Sequence, residues 1–271
     1  MQDGHSLSSR RQRPSIQVRF TAMHPIQPNS DRQWMMRALD LAVTMRGHVW
    51  PNPPVGCVIV KDGLVVAEAA TQPGGRPHAE RKALDRAGAC ATGATLYVTL
   101  EPCCHWAKTP PCADAIIGAG VSRVVCAVRD PDPRVNGGGF AKLLEAGLDV
   151  TVGLCAEEAE RLMSGFFHRI RHGQPELIVM DHTLSEIPAG IDAMIVSSQQ
   201  GPRLLARRGE IDISDVAQPR LLRRMGEFGL TSVAVSASDP ILSTLSFSEC
   251  VSGEVKQLKT SDNTQLHHLA P

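Results

Sequence analysis

The chain has 271 residues, enough for one large domain or two modest ones with a proper buried core. Lys and Arg number 28 and so do Asp and Glu, which excludes the basic excess that broad nucleic-acid or anionic-membrane binding draws on. There is no run of about 18 apolar residues, so no transmembrane helix is expected, and an aromatic content of 4% speaks against a stacking platform for single-stranded nucleic acid.

Residues 1–30 are rich in Ser, Arg, Gln and Pro, show no periodicity, and read as a flexible extension. Their Arg-rich, acid-poor start has no apolar stretch of the secretory kind; a transit peptide is the lesser alternative, and Met23 is an alternative start. Residues 31–172 alternate in type. Asp31 to Arg46 predicts a helix, with Asp31 as cap and Met35, Met36, Leu39, Ala42 and Val43 on one face. Trp50-Pro51-Asn52-Pro53-Pro54 forces an extended loop. Val55 to Val60 predicts a buried strand, Asp62-Gly63 a hairpin turn, and Leu64 to Ala70 the returning strand. Next come a helix over Ala79 to Ala89 with Gly88 near its end, a strand over Thr95 to Leu100, a helix over Pro111 to Ala119, and a strand over Arg123 to Val128. Phe140 to Ala146 predicts a short helix, Asp149 to Gly153 a strand, and Ala156 to Arg171 one longer helix. Strands separated by short helices imply an α/β layered domain.

Residues 173–271 are less patterned. Leu177 to Met180, Ala193 to Val196 and Thr231 to Val235 predict strands, Arg220 to Phe228 a helix, and Thr260 to Pro271 a loose tail.

The eight cysteines do not suit a disulfide framework in a chain this long without a secretory signal, so reduced thiols and a cytoplasmic setting are expected. Most read as plain core or surface residues. Between His78 and Cys112 the pattern is different. His78-Ala79-Glu80 opens a predicted helix, Pro102-Cys103 follows a strand, and Pro110-Pro111-Cys112 opens the next helix. Two thiolates and an imidazole suit Zn²⁺, and a thiol at a helix start is easier to ionise. Glu80 can face the metal's fourth position without being a ligand. Three ligands with that position left for water, and a carboxylate to move the proton, is the arrangement of hydrolytic deaminases that act on nucleobase rings. Cys104 or His105 as a fourth ligand would make the site purely structural, but that leaves Glu80 without a use. The common deaminase signature has two residues between its cysteines; here eight intervene, Cys104 to Pro111.

His78-Ala-Glu80, Tyr97-Val-Thr-Leu-Glu-Pro-Cys-Cys-His105 and Lys108-Thr-Pro-Pro-Cys-Ala-Asp-Ala115 resemble the deaminase domain of the RibD family of riboflavin-biosynthesis proteins, in which the longer cysteine spacing is usual. So do the segment Pro51 to Val60, Gly74-Gly75-Arg76-Pro77 and Asp130-Pro131-Asp132-Pro133. The resemblance runs from about Met35 to Gly173. It implies a three-layer α-β-α cytidine deaminase-like domain with a central mixed sheet, one Zn²⁺ per chain on His78, Cys103 and Cys112, and Glu80 as the catalytic proton shuttle. It implies 2,5-diamino-6-ribosylamino-4(3H)-pyrimidinone 5′-phosphate as substrate, with Asn52 at the pyrimidine edge, His105, Lys108 and Thr109 at the ribose phosphate, and Asp130 and Asp132 at the ribose or ring. A homo-oligomer and a separate reductase are the partners it implies, with no nucleic acid and no membrane.

Two departures stand out. A histidine common in the family is Thr71 here, which bears on substrate detail. After Gly173 the chain is much shorter than the family's reductase. Met180-Asp181-His182-Thr183-Leu184-Ser185-Glu186 lacks the family's lysine and Asp-Gly, and Ser236-Ala237-Ser238 replaces its Glu-Gly-Gly turn. Residues 173–271 therefore read as a shortened, inactive reductase-like α/β remnant without NADPH. A deaminase acting on another aminopyrimidine and a non-catalytic family member are the alternatives.

Overall fold

A computed structural model describes residues 28–106, 109–213, 220–245 and 256–258. The first sheet has the order β2-β1-β3-β4-β5, formed by β1 (Gly56–Lys61), β2 (Leu64–Ala70), β3 (Thr95–Leu100), β4 (Arg123–Val128) and β5 (Asp149–Val152). β1 runs antiparallel to β2 and β3, whereas β3, β4 and β5 are parallel, so the sheet is mixed as expected. Asp62 and Gly63 both take positive φ at the β1–β2 turn, the geometry that an Asp-Gly hairpin selects. Helices α1 (Pro28–Val43) and α5 (Ala156–Leu162) pack side by side. α2 (Ala79–Ala87), α3 (Cys112–Gly118) and α4 (Gly138–Glu145) form a second row, which completes three layers. Cys57, Val58, Ile59, Leu96, Val98, Val124 and Val125 are fully buried in the sheet because both of its faces are covered.

Some local expectations shift. α1 begins at Pro28, inside the segment expected to be an extension. Asp31 therefore sits in the first turn rather than at the cap. Its buried carboxylate accepts from Arg123 Nη2 at 2.9 Å and from the Tyr97 hydroxyl at 2.5 Å, which ties α1 to β4 and β3. Burial works against ionisation of Asp31, but the bonds from Arg123 and Tyr97 outweigh it and hold the carboxyl below its ordinary range. The single helix expected over Ala156 to Arg171 is two: α5 ends where Met163 leaves helical geometry (φ −105, ψ 16), and α6 spans Ser164–His172.

The second sheet has the order β11-β6-β10-β7-β8-β9, with β6 (Glu176–Met180), β7 (Ala193–Ser198), β8 (Gly201–Ala206), β9 (Gly209–Ile211), β10 (Ser232–Ser236) and β11 (Lys256–Leu258). β6, β10 and β7 are parallel; β6 and β10 are buried on both faces, as is the first half of β7. Leu177, Val179, Val233 and Val235 join one core with α7 (Leu221–Glu227), while Ile178, Met180 and Ala234 join another. The hairpin β8–β9 was not expected. Its Gly-Pro-Arg start and Arg207-Arg208-Gly209 turn carry no alternating apolar pattern, and the backbone ladder of β8 with β7 and β9 holds it, while the exposed Arg203–Glu210 pair (Nε to Oε1, 2.7 Å) adds little at the surface. The tail after residue 258 lies outside the described residues. No helix of the described residues is long and apolar enough to cross a membrane.

Candidate active site

His78 caps α2 with extended backbone (φ −65, ψ 158). Its carbonyl accepts the first helical hydrogen bond, from Lys82 N at 3.0 Å, and its ring makes no capping bond. The imidazole is thus left to face Cys103 and Cys112. Cys103 lies just beyond β3, and Cys112 is the first residue of α3, after two prolines that fix the entry to the helix. His78 Nδ1 stands 3.4 Å from Cys112 Sγ and 3.7 Å from Cys103 Sγ. The Cys112 N–H donates to Cys103 Sγ at 3.2 Å, and the Ala113 N–H to the Cys103 carbonyl at 3.1 Å. Among the described residues, His78, Cys103 and Cys112 are the one group of three such side chains whose donor atoms all lie within 4.8 Å. Two sulfurs and one imidazole nitrogen converging in this way fit Zn²⁺.

The Cys112 thiol donates to Cys103 and holds it well below the usual thiol range, with His78 and the Cys112 N–H adding to the effect. Cys112 is pushed up correspondingly, first by the same bond and then by burial. His78 is raised: burial works against its charge, but the bond to Cys103 and the nearby Glu80 carboxylate win. Glu80, in the first turn of α2, is 4% exposed and its carboxyl is raised, chiefly by burial. Cys104 is turned away, its thiol 3.6 Å from the Arg134 carbonyl, so it does not join the group. Cys57 and Cys126 are buried thiols pushed far up by burial, as core residues should be.

A cleft of about 340 Å³ opens on this cluster. His78, Glu80, Cys103, Asn52, His105, Thr109, Asp130 and Asp132 all line it, so the residues expected from sequence are brought together. Lys108 lies outside the described residues. Asn52 donates Nδ2 to the Gly75 carbonyl at 2.5 Å. Asp130 Oδ1 accepts the Asp132 N–H at 2.9 Å, and burial pushes the Asp130 carboxyl up to about 6. Asp132 is engaged by Arg134, whose Nε lies 2.9 Å from Oδ1, and this lowers its pKa. Thr109 accepts from Arg76. His105 is half-buried, and its Nδ1 has no partner among the described residues.

Glu101, Arg76, Arg134 and Arg169 line the same cleft, although the sequence assigns none of them a role. Glu101 had a visible signal: an acid closing an apolar strand must be buried with partners. The three arginines come from three separate segments, and only the fold unites them. Thr71 also lines the cleft; its hydroxyl accepts the Val55 N–H at 3.2 Å.

Residues 28–128 match the family model described as the cytidine and deoxycytidylate deaminase zinc-binding region. The riboflavin biosynthesis protein RibD of Escherichia coli is 55% identical over 145 residues, which are 54% of this chain and 40% of that protein. The chain thus spans less than half the length of such relatives. The diaminohydroxyphosphoribosylamino-pyrimidine deaminase of Buchnera aphidicola subsp. Schizaphis graminum is 45% identical over 145 residues, 54% of this chain and 99% of that protein. Among solved structures, the diaminohydroxyphosphoribosylaminopyrimidine deaminase/5-amino-6-(5-phosphoribosylamino)uracil reductase of Thermotoga maritima superimposes with a TM-score of 0.67 at 28% identity, over 80% of this chain and 83% of that one. That coverage reaches past the first sheet, and the second sheet resembles a shortened reductase. By its fold, its cluster of His78, Cys103 and Cys112, and its identity to relatives it covers almost end to end, the chain belongs to the RibD family of diaminohydroxyphosphoribosylaminopyrimidine deaminases.

Proposed function

We propose that the chain hydrolytically deaminates 2,5-diamino-6-ribosylamino-4(3H)-pyrimidinone 5′-phosphate to 5-amino-6-ribosylaminouracil phosphate, releasing ammonia, in riboflavin biosynthesis. The observation that carries this reading is the buried Glu80 beside the convergent His78, Cys103 and Cys112, with His78, Glu80 and Cys103 lining a cleft of about 340 Å³. His78, Cys103 and Cys112 would hold one Zn²⁺. When bound there, zinc supplies Lewis-acid activation of water at neutral pH. Water adds to C2 of the ring, the bond from C2 to the exocyclic nitrogen breaks, and a carbonyl remains. Glu80 passes one proton of the water to the ring nitrogen beside C2 as the C–O bond forms and the other to the departing amine as the C–N bond breaks, so the two water protons end on the ring N–H and on ammonia. Burial favours the protonated form of its carboxyl, which suits a group that must hold a proton between these two steps. Asn52 would meet the pyrimidine edge, His105, Lys108 and Thr109 the ribose phosphate, and Asp130 and Asp132 the ribose or ring.

The second sheet takes no part in NADPH chemistry in this reading, and a separate reductase takes the product. In support, the Ser236 hydroxyl already accepts the Ser238 N–H at 3.3 Å, and the Asp239 carboxylate already takes the Ser197 N–H at 2.9 Å and the Ile241 N–H at 3.0 Å. Backbone donors at that end of the sheet are thereby spent on side chains rather than offered to phosphate. A different aminopyrimidine, the second reading, is favoured by Thr71 in the cleft wall and by the absent reductase signature after Gly173. Ammonia release by the zinc-loaded chain from a panel of the diaminopyrimidine phosphate, cytidine and deoxycytidylate tests the reading. Turnover confined to the first supports it, and turnover confined to another member of the panel refutes it.

A further inference from the structure

Trp50 belongs by sequence to the loop between α1 and β1, yet its ring is seated in the core of the second sheet, with Leu177, Leu204, Met225 and Leu230, and is only 9% exposed. Arg208, in the solvent-exposed β8–β9 turn, lies over that ring with its guanidinium carbon 4.4 Å from the centroid. Its Nη2 also donates to the His48 carbonyl at 3.0 Å, the same carbonyl that accepts the Gly74 N–H at 3.0 Å. Two residues past Trp50, Asn52 reaches the cleft wall, held by its N–H to Val49 O at 3.1 Å and its side chain to Gly75 O. The backbone of the second unit presses on the intervening residue as well: a Cβ on Gly229 would lie 2.5 Å from Pro51 Cβ. The segment from His48 to Asn52 is in neither helix nor strand, so its shape is set by what it packs on.

We propose that the second unit is a positioning brace for the deaminase site: Arg208 and the core pocket of Trp50 lock the 48–52 loop so that Asn52 is preset against the pyrimidine. Trp50 and Arg208 are positioning residues; neither lines the cleft. A unit read as carrying no reaction of its own thereby has a task, through a ring inserted into its core and a cation clamped over that ring. The substrate arm of the test rests on the deamination reading above; the exchange arm does not.

The test uses the full zinc-loaded chain with Arg208→Ala, Arg208→Lys and, as a surface control on the same hairpin, Arg203→Ala. Arg208 is exposed, so its truncation should leave folding and zinc content unchanged. In Arg208→Ala, KM for the diaminopyrimidine phosphate should rise about tenfold with kcat within about threefold, and amide exchange at Asn52 and Gly74 should quicken about tenfold, while Lys82 and Val233 stay as they are. Arg208→Lys should restore most of both, and Arg203→Ala should change neither. Unchanged exchange at Asn52 and Gly74, or an unchanged KM in a variant that turns over, overturns the proposal. A wild type without turnover counts against the substrate alone, and the exchange arm then decides the brace.

Discussion

The Glu101 carboxylate accepts the Gly139 N–H at 3.0 Å, joining the end of β3 to the first turn of α4 across 38 residues of sequence. The same side chain accepts from Phe140 N, Gly137 N and Asp130 N, so four backbone donors converge on one buried anion. An anion at a helix N-terminus is favourable in itself. Here it also fixes the loop that presents Asp130 and Asp132 to the cleft. Glu101→Gln turns an N–H₂ group toward donors and should lower stability by about 2–3 kcal/mol. KM should rise more than kcat falls, with zinc content unchanged. Urea unfolding and steady-state kinetics check this; wild-type stability in the variant would contradict it.

The proposed zinc site rests on three donors, His78, Cys103 and Cys112. His78→Ala and Cys103→Ser should each reduce bound zinc from about one ion per chain to near zero at micromolar free zinc, since losing a ligand at such a site removes several kcal/mol of binding. Cys104→Ser, whose thiol faces the Arg134 carbonyl, should keep the zinc. Metal analysis after gel filtration separates these outcomes, and zinc loss in Cys104→Ser would show a fourth ligand.

Gly75 has φ +85, and a Cβ there would lie 2.4 Å from Asn52 Nδ2 and 2.7 Å from Val49 O. Gly75→Ala combines backbone strain with displacement of Asn52. It should destabilise the fold by about 2–4 kcal/mol and weaken substrate binding beyond what instability explains. Thermal unfolding and KM together test it, and an unchanged KM would place Asn52 outside the pyrimidine site.

Asp130 gives a pH signature. Burial raises its carboxyl to about 6 in the folded chain, against about 3.9 when unfolded. Between these values the folded state binds more protons, so this group's contribution to stability falls as pH rises through the window. Asp130→Asn removes that loss. Relative to wild type, its unfolding free energy should climb by about 1–2 kcal/mol from pH 4.5 to 7.5. A difference that stays flat with pH would mean that Asp130 is not buried against its charge.

Much of this was legible in the residues themselves. Thr95–Leu100 and Arg123–Val128 are strands over the whole of their predicted range because β-branched runs between turn residues leave little alternative. His78, Glu80, Cys103 and Cys112 were legible because each sits at an element boundary marked by proline or by a strand end. The split at Met163 was not, since the apolar pattern continues through it and only the φ/ψ of one residue interrupts the helix. Asp31 was misread as a cap because its partners Arg123 and Tyr97 are remote in sequence. Trp50 was unreadable for the same reason: nothing local says that a loop tryptophan fills the core of another sheet.

The most direct test of the account is ammonia release from the diaminopyrimidine ribosylamine phosphate by zinc-loaded wild type and by Glu80→Gln, at equal zinc content. Glutamine keeps the shape of the buried side chain but cannot move the proton. Turnover by wild type with a fall of about 10³-fold or more in kcat for the variant is predicted. Equal rates, or zinc-bound wild type with no turnover, would contradict the claim that Glu80 carries the proton in this reaction.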